Sequence, residues 1–123
     1  MAWNLDHERP IYAQLIEHVQ LDIITGNYQP GEKLPSVRDL AAEAAVNPNT
    51  MQKALSELEN SGLIYSQRTS GRYITEDKDL IQSTRQQLAR MQILDCIRTM
   101  RQLNLSDERI IELIQTIIKE DIV

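Results

Sequence analysis

At 123 residues with a single cysteine, Cys96, the chain has room for one modest core and an appendage, and no disulfide framework can staple it. It contains no run of 18 apolar residues, and Met1-Ala2-Trp3-Asn4-Leu5-Asp6 does not read as a signal peptide, so neither a membrane partner nor secretion is expected and a reducing cytoplasm is. Thirteen Lys and Arg against eighteen Asp and Glu give a net charge of −5, a balance that by itself argues against nucleic acid.

Residues 1–8 read as a lead-in. Pro10 opens a first helix with Ile11, Leu15, Ile16, Val19 and Ile23 inward and Gly26 as its stop. Gln29-Pro30-Gly31-Glu32 is a turn signal. Ser36, with Asp39 three residues on, has the spacing of a capping box, with Asp in place of Glu or Gln. Val37, Leu40, Ala41 and Ala44 then repeat as one buried helical face. Asn47 suits the cap of a further helix and Pro48 its first turn, where no N–H is needed. Met51, Ala54, Leu55 and Leu58 form its apolar stripe, and the helix closes near Ser61-Gly62. Asn49, Thr50, Gln52 and Lys53 are left off that stripe. Two short helices with this division of labour read as helix-turn-helix.

Leu63–Gln67 and Arg72–Thr75 are short β-prone runs joined by Arg68-Thr69-Ser70-Gly71, the spacing of a hairpin with glycine in the turn. Appended to a helix-turn-helix, such a hairpin is a wing. A longer helix is expected from Asp79 to about Asn104, with Ala89, Ile93, Cys96, Met100 and Leu103 at heptad spacing. Ser106 is placed to cap a last helix, with Asp107 and Glu108 in its first turn. Ile110, Ile111, Leu113, Ile114, Ile117, Ile118 and Ile122 cover more than one side of it, so that helix must bury against something.

These residues, with Pro10-Ile11-Tyr12-Ala13-Gln14-Leu15 and Pro30-Gly31-Glu32-Lys33-Leu34-Pro35-Ser36 upstream, resemble the GntR family of bacterial transcription regulators. Downstream, Ala54–Ile64 and Gly71-Arg72-Tyr73-Ile74 continue the resemblance, which covers roughly residues 9–75. The Asn-Pro-Asn-Thr helix start and the two-helix tail look like the family's YtrA branch. The resemblance implies a winged helix-turn-helix that binds a double-stranded DNA operator as a homodimer, joined by its tail, often repressing ABC-transporter operons. Two departures stand out. Pro48 and Gln52 occupy positions where many relatives carry arginines, which implies another operator. Ala45 stands where a glycine is common in the turn. If its backbone is left-handed, alanine costs about 1 kcal/mol relative to glycine there.

Charge placement answers the acidic balance. Residues 1–76 carry six basic and ten acidic side chains, −4, yet Arg38, Lys53, Arg68 and Arg72 all fall in the segments expected to read DNA. Glu8, Glu17, Asp22, Glu43, Glu57 and Glu59 are then free to line the far side. Binding through such a local stripe weakens as salt rises. Arg38 suits phosphate or a guanine edge; Asn49 and Gln52 suit adenine; Thr50 suits a thymine methyl or phosphate; Lys53 suits phosphate or guanine. Asn47 and Ser36 are candidates too, though both also read as helix caps. In the wing, Arg68, Ser70, Gly71 and Arg72 are placed to hold a phosphate or reach a minor groove.

Other chemistry finds no residues. His7, His18 and Cys96 do not have zinc spacing, so no metal or cofactor is expected; both histidines read as surface groups and Cys96 as a small buried residue on the heptad seam. Trp3, Tyr12, Tyr28 and Tyr73 are scattered, which favours packing over stacking platforms. No catalytic constellation is present, so the chain is not expected to be an enzyme.

The sequence therefore predicts a mainly α protein: a winged helix-turn-helix DNA-binding domain over residues 1–76 and a two-helix dimerisation tail over 77–123. Ile93, Ile97, Met100, Leu103, Ile110, Ile114, Ile117 and Ile118 are its candidate joint. Residues 77–123 are too few to enclose an effector pocket alone, so a small-molecule effector would have to sit between subunits or between tail and domain. The competing readings are a winged-helix module that binds protein instead of DNA, and a small enzyme or metal sensor.

Overall fold

The computed structural model describes residues 3–120; Met1, Ala2 and Ile122 lie outside them. Five helices and one hairpin follow in the order α1 (Ile11–Ile24), α2 (Val37–Ala44), α3 (Pro48–Ser61), β1 (Ile64–Gln67), β2 (Gly71–Ile74), α4 (Lys78–Gln102) and α5 (Asp107–Glu120). The chain divides into two compact units, residues 1–84 and 85–123, and the division falls within α4.

In the first unit Leu15, Val19 and Ile23 of α1 meet Leu40, Ala41 and Ala44 of α2, and Met51, Ala54, Leu55 and Leu58 of α3. Ile11 and Ile16 are only partly buried against that core. Leu63, Ile64, Ile74 and, from the opening of α4, Ile81 complete it. The helix starts obey their caps. The Asp39 backbone N–H donates to Ser36 Oγ at 3.1 Å, and the Asn49 N–H donates to Asn47 Oδ1 at 2.7 Å. Ala45, which ends α2, has φ 61° and ψ 47°, so the turn does hold an alanine in the left-handed region. The chain tolerates that cost because the turn must aim α3 against α2 and α1.

The hairpin is antiparallel with Ile64 opposite Ile74 and Gln67 opposite Gly71, leaving Arg68, Thr69 and Ser70 as its tip. A third strip of backbone joins it. Residues 31–34, the first two of them in the expected turn Gln29–Glu32, pair with β2: the Leu34 N–H donates to Arg72 O at 2.9 Å, and the Ile74 N–H donates to Glu32 O at 2.9 Å. Lys33 is thereby set directly opposite Tyr73. The pleat sorts these side chains. Leu34, Ile64 and Ile74 face the core, while Lys33 and the stacked Tyr65 and Tyr73 rings, 5.8 Å apart, take the other face.

The lead-in is a strap. The Trp3 indole stacks on the His18 ring at 3.7 Å and 4°, and its Nε1–H donates to Glu43 Oε1 at 3.1 Å, tying α1 to α2. Gln14 secures the same segment by accepting from the Asp6 N–H and donating to Asp6 O. His18 is accordingly half-buried, its Nδ1 3.3 Å from Asp22 Oδ2, which corrects the expectation of a surface histidine.

In the second unit the turn between α4 and α5 carries Asn104 in the left-handed region, φ 66°. Ser106 Oγ accepts from the Arg109 N–H, the expected cap. The Arg101 guanidinium pairs with both oxygens of Asp107, at 3.0 and 3.1 Å. That hydrogen bond first, and the cation's charge second, hold the Asp107 carboxyl below its ordinary range. Ile110, expected in a subunit joint, is buried within the chain. Ile111, Ile114, Ile117 and Ile118 of α5, and Ile93 and Leu103 of α4, are exposed. Ile97 and Met100 are partly covered. Cys96, expected to be buried, is exposed in the single chain.

Candidate nucleic-acid interface

Helical geometry decides which side chains of α3 are available. Because Met51, Ala54, Leu55 and Leu58 must turn inward, Asn49, Gln52 and Lys53 project from the opposite side within an arc of about 100°. All three are exposed, and Thr50 is half-buried beside them. Arg38 is exposed on α2 and has no ion-pair partner among the described residues. Glu43, one candidate partner, instead accepts from Trp3; five residues of helix separate it from Arg38 by about 140° of rotation. Lys53 is steadied from α1: its Nζ lies 4.4 Å from the centre of the Tyr12 ring, a cation–π contact.

Two candidates double as structural groups. Ser36 Oγ and Asn47 Oδ1 accept the capping N–H bonds of α2 and α3, which leaves the Ser36 hydroxyl hydrogen and the Asn47 amide N–H groups as donors. In the wing, Arg68 is exposed at the tip and Ser70 Oγ accepts from the Tyr73 hydroxyl at 2.9 Å. Gly71, at φ 114°, occupies backbone that only glycine adopts without strain. Arg72 stands apart. Its Nε donates to Glu59 Oε1 at 2.6 Å, and the guanidinium is largely covered.

Three carboxylates lie around Tyr28. Burial, followed by the nearby charges of Asp22, Glu43 and Glu32, pushes the Tyr28 phenol up to about 12. Glu17 pairs with Arg9 and Glu59 with Arg72. Glu17 and Glu59 are thus matched locally, whereas Arg38 and Arg68 have no ion-pair partner among the described residues. Sequence reasoning missed Lys33, because the pairing that brings it against the wing joins segments some forty residues apart. Its Cε lies 3.3 Å from where a Cβ on Gly71 would stand.

A capped two-helix turn, a recognition helix with an amide-bearing exposed face and a β wing define a winged helix-turn-helix DNA-binding regulator. The match to the bacterial regulatory proteins of the gntR family over residues 11–74 makes the assignment particular: the chain belongs to the GntR family. It is 33% identical over 108 residues to the uncharacterized HTH-type transcriptional regulator YhcF of Bacillus subtilis, covering 88% of this chain and 89% of that protein. It is 47% identical over 68 residues to the HTH-type transcriptional repressor YtrA of the same organism, 55% of this chain and 52% of YtrA, in keeping with the YtrA-like branch. A GntR family transcriptional regulator from Listeria monocytogenes superposes with a TM-score of 0.85 at 38% identity, over 92% of this chain and 99% of that one. The AraR DNA-binding domain, solved in complex with operator ORX1, does so with a TM-score of 0.53 at 29% identity, over 61% and 92%. These relatives are named as regulators, and the family they define is not one of enzymes. No helix among the described residues is long and apolar enough to cross a membrane.

Proposed function

We propose that this chain is a cytoplasmic repressor that binds a two-fold operator as a homodimer and controls an operon for an ABC-type transporter. Arg38 and the opening turns of α3, Asn49, Thr50, Gln52 and Lys53, read the major groove. Ser36 and Asn47 donate to phosphates, and Arg68, Ser70 and Gly71 at the wing meet the backbone or the minor groove. Ile93, Ile97, Met100 and Leu103 of α4, with Ile114, Ile117 and Ile118 of α5, join the two subunits. A single module with so few base contacts discriminates weakly; two tethered copies combine their affinities on a repeated site.

The observation that carries this reading is the exposure of Asn49, Gln52 and Lys53 in the opening turns of α3, with Arg38 exposed on α2 and without an ion-pair partner among the described residues. The repressor role and the transporter target rest on the likeness to YtrA and its branch. Any small-molecule effector would act where subunits meet, by setting the spacing of the two recognition helices. Sequencing the genomic DNA that co-purifies with the chain tests the proposal. Enrichment of an inverted repeat ahead of transporter genes is expected, and enrichment of unrelated promoters would overturn the transporter assignment.

A further inference from the structure

We infer that Lys33 is the cation by which the base of the wing grips the DNA backbone, and that Arg72 is a positioning residue that holds the wing against α3. This rests on the DNA-binding reading above. Lys33 lies opposite Tyr73, and directly opposed residues of paired strands share a face. Leu34, its neighbour, is buried, so Lys33 points away from the core, along the side that carries Tyr65 and Tyr73. Its stem reaches Gly71, the residue that follows the wing tip, at 3.3 Å from the glycine's would-be Cβ. A side chain at position 71 would obstruct that stem.

The carboxylate beside it in sequence is engaged, since Glu32 Oε1 accepts from the Gln29 N–H at 2.7 Å. Lys33 itself has no ion-pair partner among the described residues. An exposed, unpaired ammonium beside a glycine that lets backbone approach closely is a phosphate site in chemistry and in shape. Arg72 is the reverse. It shares the inward face of β2 with Ile74, and its guanidinium is already matched to Glu59, near the end of α3. Breaking that pair to reach a phosphate would strand the Glu59 carboxylate.

The test measures the salt dependence of binding to a genomic fragment that the unaltered full-length chain retains. Lys33→Gln should lower the slope of log K against log salt by about 0.9, the share of one phosphate contact, with an unchanged melting temperature. Arg72→Gln and Glu59→Gln should lower that slope alike, because a wing released from α3 loses its phosphate contacts. Each should erase protection at the wing's position in a hydroxyl-radical footprint while keeping protection under α3, and Arg72→Lys should restore it. A slope unaltered by Lys33→Gln overturns the role of Lys33. A wing footprint kept intact by Glu59→Gln, or tighter binding by that variant through a released guanidinium, overturns the role of Arg72. Should the unaltered chain retain no DNA even at low salt, the DNA-binding reading fails, and this inference with it.

Discussion

Leu15, Leu40, Met51 and Leu55 in the first unit are shut off from solvent, whereas Ile111, Ile117 and Ile118 in the second are 56%, 56% and 71% exposed. Both sets lie on helices with strong apolar periodicity, so the pattern alone does not separate them. What differs is the partner. α1, α2, α3 and the hairpin supply one another with apolar surface, and the unit is complete within a single chain. Among the described residues of the tail Ile110 is buried and Ile97 and Met100 are partly covered, while Ile93, Leu103, Ile111, Ile114, Ile117 and Ile118 stay exposed. A contiguous apolar face of that kind costs solubility unless another surface covers it. On the function proposed above, this contrast corresponds to reading by the first unit and pairing by the second.

Substitutions can break the two units separately. Ile114→Glu should put a charge into the subunit joint and yield a folded monomer in sedimentation, with operator affinity reduced by about 10²–10⁴-fold as avidity is lost. An intact dimer would move the joint elsewhere. Leu55→Ala should cost about 2–5 kcal/mol in chemical denaturation, because the fully buried site cannot collapse around the void. Arg38→Ala should weaken operator binding by about 1–3 kcal/mol while leaving dimerisation untouched, as measured by fluorescence anisotropy. Ala45→Gly should stabilise the first unit by about 1 kcal/mol, relieving the left-handed alanine. The smallest effect belongs to acid. Asp107 titrates below its ordinary range, so its pairing with Arg101 contributes fully above about pH 4 and is lost as pH falls through the lowered value. Asp107→Asn should therefore flatten the acid limb of tail unfolding and leave neutral pH nearly unaffected.

The helix-turn-helix was legible because its signals are local. Ser36 and Asn47 cap within three residues of themselves, Gly62 ends α3, and the stripes of α2 and α3 recur at helical spacing. The exposed reading face followed from those stripes. What the sequence concealed joins distant segments. The turn chemistry of residues 29–32 runs into residues 31–34, which supply a strip of the wing sheet because β2 offers them its free edge. Trp3 meets Glu43 forty residues away, and Arg72 of β2 meets Glu59 of α3, thirteen residues away; neither spacing has a periodic signature. Heptad spacing placed Cys96 on a buried seam, but spacing states only which residues share a side, not whether anything covers it.

A chemical footprint of the retained genomic fragment bound to the unaltered chain tests the central claim most directly. Two subunits on a two-fold site should leave two protected major-groove patches on one side of the duplex, their centres separated by one helical turn, about 34 Å, or a multiple of it. A single isolated patch, or protection confined to phosphates without any groove contact, would contradict it.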